Sequence, residues 1–240
     1  MSEYEGKLVV LTGVGRKGQA GEMIARMFAE CGASLALLDV VPDEVNARAD
    51  ELRAAGFVAT AHAGDLSNAD EAVRIAHEVL TAHPSANGAV HALINAAGGF
   101  GMTGPLDTSD PAAWRKMFMI SADTAYCATR AFLPALRVAQ GSAVYFTSAA
   151  SLPGGKVGGM AAYAGAKSAV LTLMRSVAQD ERKHGVRANA VAPVAIRTAA
   201  NVASMGEKDN YVDRESVADV LLFLCSQAAR NVSGQVIELA

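Results

Sequence analysis

Lys7-Leu8-Val9-Val10-Leu11-Thr12 runs directly into Gly13-Val14-Gly15-Arg16-Lys17-Gly18-Gln19-Ala20-Gly21. A short Leu- and Val-rich run that stops at glycines reads as a buried strand. Beyond it, Gly21–Cys31 carries Met23, Ile24, Met27 and Phe28 at helical spacing, with Gly32 as a stop. Ser34–Asp39 (SLALLD) repeats the strand pattern about one helix later. Strand, helix and strand make one βαβ unit.

The alternation continues outward from that unit. It predicts helix Pro42–Ala55, strand Phe57–Ala61, helix Asn68–Ala82, strand Ala92–Asn95, a long helix from Pro111 to about Ala139 and strand Ala143–Thr147. Helix Ala161–His184, strand Arg187–Ala192, helix Arg214–Ala228 and strand Gln235–Leu239 follow. Strands that are apolar throughout, each followed by a helix, imply a parallel sheet covered on both faces. The fold class is therefore α/β: a doubly wound, seven-stranded parallel sheet. No repeat or linker divides residues 1–240, so one domain is expected. The glycine-rich stretches Gly98–Gly104 and Gly154–Gly159 follow strands, at the sheet edge where such folds bind ligands.

Of the 240 residues, 51% are hydrophobic and 19% charged, enough to close a large core. A net charge of −3 gives no footprint for nucleic acid or an anionic membrane. Cys31, Cys127 and Cys225 lie too far apart for a metal cluster or disulfide framework and are expected as buried thiols in a reducing compartment. The N-terminal MSEYEGK lacks a basic region and a long apolar segment, and no run reaches the roughly 18 apolar residues that span a bilayer. A cytoplasmic protein is expected. His62, His77, His83, His91 and His184 have no metal-ligand spacing and are expected at surfaces or helix caps.

Glycines in the first turn allow positive φ and close backbone approach, and the helix behind them offers unpaired N–H groups and positive dipole density. A dinucleotide pyrophosphate fits there, with Gly13, Gly15, Gly18, Gln19 and Ala20 as its candidate contacts. Asp39, at the end of the second strand, can accept from both adenosine ribose hydroxyls, and would repel a 2′-phosphate. The next residues, Val40 and Val41, supply no cation, whereas Arg16 and Lys17 in the turn argue the other way. The local carboxylate carries more weight, so NAD is expected over NADP. Asp65-Leu66 after the third strand can bracket an adenine, or cap the helix that follows.

Tyr163 and Lys167 stand i, i+4 on one helix face, about 5–6 Å apart at Cβ. A phenol with an ordinary pKa near 10 is a poor acid–base at neutral pH, but a neighbouring Lys⁺ and an oxidised nicotinamide both favour phenolate. Ser148 closes the fifth strand, where its hydroxyl can reach a substrate carbonyl oxygen. Asn95-Ala96-Ala97-Gly98 ends the fourth strand, where Asn95 can tie strands together and Gly98 lets a cofactor lie close. Pro193-Val194-Ala195-Ile196-Arg197-Thr198 follows the sixth and offers backbone and a hydroxyl to a nicotinamide amide.

In this joint order of glycine turn, Asp39, Asn-Ala-Ala-Gly, Ser148, Tyr-x-x-x-Lys and Asn189-Ala190-Val191-Ala192-Pro193, the chain resembles the short-chain dehydrogenase/reductase family from Lys7 to Leu239. The resemblance implies a Rossmann fold and hydride transfer between a nicotinamide and a carbonyl or alcohol carbon. It makes Tyr163 the general acid–base, Ser148 the group that orients the oxygen, and Lys167 the residue that holds the ribose and lowers the tyrosine pKa. Compact members, including 3-oxoacyl carrier-protein reductases, are mostly tetramers built on the helices that here are Pro111–Ala139 and Ala161–His184, so a homotetramer or homodimer is expected.

The chain departs from the family in places. Gly13 to Gly21 spans eight residues where the family pattern gives six, and Val194 stands where glycine is common. Ser121 aligns with an asparagine of the family's catalytic tetrad, which bends a helix and holds a water linking the lysine to solvent; a serine hydroxyl is shorter and lacks the amide. Candidate substrate walls are Phe100, Met102, Leu152, Met160 and Val194, all apolar, with residues 199–213 as a flexible lid. They favour a small or medium apolar alcohol or carbonyl compound. The competing reading is a catalytically weak or silent nucleotide-binding protein with a structural or regulatory role.

Overall fold

The computed structural model describes residues 3–240; Met1 and Ser2, the start of the acidic N-terminal stretch, lie outside the described residues. One parallel sheet holds seven strands: β1 (Leu8–Thr12), β2 (Ser34–Asp39), β3 (Ala59–Ala63), β4 (Ala92–Asn95), β5 (Ser142–Phe146), β6 (Arg187–Pro193) and β7 (Val236–Leu239). Their order is β3-β2-β1-β4-β5-β6-β7. Chain order reverses between β1 and β4, which leaves a crevice outside the carboxyl ends of the strands. Thr12 is in register with Leu38 and Asn95, so the glycine turn, Asp39 and Gly98 all leave the sheet along one edge.

The described residues form eight α-helices: α1 (Ala20–Glu30), α2 (Pro42–Ala54), α3 (Ala69–Ala82), α4 (Pro111–Phe118), α5 (Thr124–Ala139), α6 (Ala161–Asp180), α7 (Ala199–Met205) and α8 (Arg214–Cys225). Side chains alternate across a strand, and here both faces are dry. Val9 and Leu11 pack with Ile24, Phe28, Val45 and Leu221 beneath α1, α2 and α8. Leu8 and Val10 pack with Ile75, Phe132, Leu136 and Met174 beneath α3, α5 and α6. That two-sided burial is why the strands read as unbroken apolar runs.

Several boundaries differ from the sequence reading. The third strand lies at Ala59–Ala63, not Phe57–Ala61, because the Phe57 N–H turns back to the Leu52 carbonyl at the end of α2. On this edge strand Thr60 and His62 carry a polar contact with His83: both imidazole Nε2 atoms lie within 2.9 Å of the Thr60 hydroxyl. His62 and His83 are therefore buried, and burial lowers both pKa values. The long helix from Pro111 is broken by a π-turn at Met119–Asp123. Helix α6 ends at Asp180 and α8 at Cys225, each followed by a short 3₁₀ turn. Cys127 and Cys225 are buried, and Cys31 is half-buried. No helix of the described residues is long and apolar enough to cross a membrane.

Strand β1 and helix α1 approach so closely that a Cβ at Gly21 would lie 2.6 Å from the Gly13 carbonyl oxygen and 3.0 Å from Val14 Cα. Gly158 meets nothing within 4 Å. Gly21→Ala should therefore cost about 1–3 kcal/mol by overpacking, read as a lower urea midpoint, while Gly158→Ala leaves the midpoint unchanged. Equal midpoints would contradict the close approach.

Candidate active site

Strand β5 delivers Phe146, Thr147 and Ser148 to the crevice, and α6 delivers Tyr163 and Lys167 on one face. Two hydrogen bonds clamp the elements together at Lys167. Its ammonium donates to the Phe146 carbonyl at 2.9 Å, and its own carbonyl accepts from the Thr147 hydroxyl at 2.9 Å. Lys167 is only 6% exposed. Burial penalises the charged form and pulls its pKa down to about 8.

The Tyr163 side chain is half-buried, and desolvation pushes its pKa up; the nearby Ser148 hydroxyl opposes that shift. Burial outweighs the Ser148 contribution, and the Lys167 ammonium is turned to the Phe146 carbonyl rather than engaged with the phenol oxygen. Ser148 itself is buried and accepts from the Ala150 N–H at 3.3 Å, starting a 3₁₀ turn. The phenol and the strand-end hydroxyl do converge. Thr147, which the sequence reading passed over, fixes the lysine's backbone and also bonds the Ser151 hydroxyl at 2.7 Å.

Ser121 sits inside the π-turn that joins α4 to α5, is 1% exposed, and its hydroxyl has no hydrogen-bond partner among the described residues. Gly98, at φ +153°, separates it from the lysine: a Cβ there would lie 3.1 Å from Lys167 Nζ and 3.3 Å from Ser121 Oγ. The bare Cα at Gly98 is what lets these groups gather. Asn95 does not tie strands. Its Nδ2 donates to Thr129 of α5 at 3.3 Å, and Thr12 makes the strand tie instead, donating to the Ile94 carbonyl and accepting from the Ala97 N–H at 3.0 Å.

The glycine turn differs most from expectation. Two of the amides assigned to a pyrophosphate are taken by carboxylates: Gly15 N–H donates to Asp39 Oδ2 at 2.7 Å, and Gly18 N–H donates to Glu22 Oε2 at 2.6 Å. Asp39 Oδ1 also accepts from the Val41 N–H. Val40 is exposed beside it. The turn is close to self-satisfied there, which shifts the open donors to the first turn of α1, where the Ala20 and Gly21 amides have no acceptor within the helix. Asp65 accepts from the Ser67 N–H and hydroxyl, and Asn68 rather than Asp65 caps α3; Leu66 is buried in the core.

Around the mouth, the Phe100 ring is 56% exposed and packs edge-to-face on Tyr163, centroids 5.1 Å apart. Thr103 and Gly104 donate their N–H groups to the Gly159 carbonyl, joining the two glycine-rich loops. Val194 is exposed at the crevice, Met160 precedes α6, and Leu152 leans partly on the core. Ile196 pairs with Val212 in an isolated bridge. The Thr198 hydroxyl caps α7 by accepting from the Asn201 N–H. Arg197 pairs with Glu207 and Asp213, and Tyr211 donates to the Gly206 carbonyl, so residues 199–213 carry a short helix tied at both ends.

Lys167→Met should separate stability from activity. Between about pH 8 and the ordinary lysine value of 10.5, the unfolded chain holds a proton that the folded chain has released. The penalty for burying the charge is therefore full below about pH 8 and is relieved as pH rises through that window. The variant should melt at or above the wild-type temperature at pH 7, with the difference shrinking by pH 10. A variant much less stable at pH 7 would contradict the assignment.

Comparison with known proteins bears on these residues together. The family model described as enoyl-(acyl carrier protein) reductase matches residues 13–239. An uncharacterised short-chain type dehydrogenase/reductase of Sinorhizobium fredii is 30% identical, covering 98% of this chain and 96% of the relative. The 7alpha-hydroxysteroid dehydrogenase of Escherichia coli K12 is 29% identical, covering 98% and 93%. A solved short-chain type dehydrogenase/reductase from Mycobacterium ulcerans superposes with a TM-score of 0.86 at 28% identity, covering 98% of this chain and 89% of that one. With the parallel sheet, the phenol–lysine pair and the strand-end serine in the family's order, the chain belongs to the short-chain dehydrogenase/reductase family.

Proposed function

We propose that this oxidoreductase moves a hydride between a nicotinamide cofactor and a small or medium apolar alcohol/carbonyl pair, with Tyr163 as general acid–base. The observation that carries the reading is the convergence of the Tyr163 phenol, the Ser148 hydroxyl and the buried Lys167 ammonium at the carboxyl edge of β5. The whole chain acts as one nucleotide-binding domain with residues 199–213 as its lid.

The residues present fit a nicotinamide dinucleotide. A Cβ on Gly13 would lie 2.7 Å from Ala97 Cα, so the turn needs glycine to lie flush against the end of β4. Ala20 and Gly21 would offer amides at the head of α1, Asp39 would take the ribose hydroxyls from the end of β2, and Ala96 and Gly98, just past β4, would let the cofactor lie close. Pro193, Ile196 and Thr198, at and beyond the end of β6, would meet its nicotinamide amide. The bound cofactor supplies the hydride acceptor or donor. This chain's residues handle the proton: in oxidation the phenolate of Tyr163 takes it from the substrate hydroxyl while Ser148 holds the oxygen, and in reduction the phenol returns it. Lys167 holds the nicotinamide ribose and places positive charge beneath the phenol. The Ser121 hydroxyl, buried and without a partner among the described residues, would take a water that extends the proton route from Lys167.

Asp39 supports NAD over NADP: its carboxylate, held at the end of β2 by the Gly15 and Val41 amides, would put like charge beside a 2′-phosphate. Phe100, Leu152, Met160 and Val194 line an apolar mouth, in keeping with the hydroxysteroid named for one relative. A homotetramer or homodimer built on α5 and α6 and a cytoplasmic site belong to the same reading; exposed Tyr126 and Val138 on α5 support the former.

Tyr163→Phe should lower kcat by about 10²-fold or more while the Kd for NADH, read by nucleotide fluorescence, stays within about 3-fold. An active variant would overturn the acid–base role, and wild-type protein that binds neither NADH nor NADPH would overturn the cofactor. Because burial raises the phenol's pKa, alcohol oxidation should accelerate as pH rises from 7 to 10, whereas carbonyl reduction should hold steady and then fall. A pH-independent oxidation rate would contradict a phenol base.

A further inference from the structure

Gly18 is the peptide on which three parts of the molecule meet. Its N–H donates to Glu22 Oε2 at 2.6 Å, and its carbonyl accepts at 2.9 Å from the N–H of Ala199, the first residue of α7. Its φ is +74°, and a Cβ there would lie 2.8 Å from the Ala199 Cβ. No side chain fits that corner.

Glu22 is in turn held by two other helices. Its Oε1 accepts from Arg48 of α2 at 3.2 Å, and its Oε2 from Arg214 of α8 at 3.4 Å. Arg48 is 8% exposed and also donates to Glu51 at 2.6 Å. Its Nε, buried and without a partner among the described residues, belongs to a side chain lining a cavity of about 170 Å³ between α1 and α2. A carboxylate in the first turn of α1 suits the helix dipole, yet it stands near the amides that a pyrophosphate must reach. The two guanidinium groups offset that charge, and one carboxylate oxygen is already engaged by the Gly18 amide.

We propose that Glu22 is a positioning residue for the cofactor. By holding Gly18, it keeps the lengthened glycine turn folded back on α1, leaves the Ala20 and Gly21 amides open to the pyrophosphate, and presents the Gly18 carbonyl to α7. The inference rests on the cofactor reading above. The opposite role for Glu22, simple repulsion of the pyrophosphate, predicts the opposite sign.

The test uses full-length protein, with NADH binding read by fluorescence and amide exchange of Gly18 read without cofactor. Glu22→Ala should raise the NADH Kd by about tenfold or more, leave kcat at saturating cofactor within about 3-fold, and speed Gly18 exchange. Glu22→Gln keeps an oxygen that can accept from Gly18, so its Kd and its Gly18 exchange should stay near wild type. Tighter binding by either variant, or unchanged Kd and exchange in Glu22→Ala, would overturn the proposal. If Glu22→Ala fails to fold, Glu22→Gln with wild-type folding but fast Gly18 exchange and weak binding would overturn it as well. Failure of the wild type to bind any nicotinamide would sink the cofactor reading, while the exchange result would still report on the turn.

Discussion

A lysine ammonium held in the protein interior by one main-chain carbonyl governs this molecule. Lys167 is carried by α6 and bonded to the Phe146 carbonyl at the end of β5, so the charge can exist only if strand and helix keep their register. Thr147 enforces the same register from the other direction, through the Lys167 carbonyl. The cost of burying that charge shows as a pKa near 8. In the function proposed above, the fold gains a proton-handling group on the same helix face as a half-buried phenol, with a strand-end hydroxyl nearby.

Carboxylates play a parallel part at the other end of the crevice. Asp39 and Glu22 bind the amides of Gly15 and Gly18, turning a long, glycine-rich connection into a shaped one before any ligand arrives. Preorganisation of this kind lowers the ordering cost of binding. It also means that Asp39 shapes the turn through the Gly15 amide, so under the proposed function replacing it would alter more than a preference between cofactors.

Much of this was legible in the sequence because it follows from periodicity. Strands buried on both faces must be apolar throughout, which is why Leu8–Thr12 and Ser34–Asp39 stand out. The i, i+4 spacing of Tyr163 and Lys167 can only share a helix face. The parts that were hidden depend on which of several acceptors a group chooses. Asp39 could serve a ribose or a glycine amide, and Asn95 a strand or Thr129, with no difference in residue type. β3 was misplaced by two residues because an edge strand with the polar Thr60 and His62 on one face lacks the apolar signature. The π-turn at Ser121 breaks a helix whose amphipathic pattern runs straight through it. Glu22 was passed over because a glutamate in a first helical turn is ordinary.

In the function proposed above, burial holds Tyr163 protonated and positive charge brought alongside it releases it for chemistry. An ultraviolet difference titration of wild type against Tyr163→Phe, with and without oxidised nicotinamide dinucleotide, reads that phenol directly. Ionisation is expected above the ordinary phenol value without cofactor and at a clearly lower pH once the oxidised cofactor binds. A phenol that already ionises at or below the ordinary value when free, or that does not shift on binding, would contradict it.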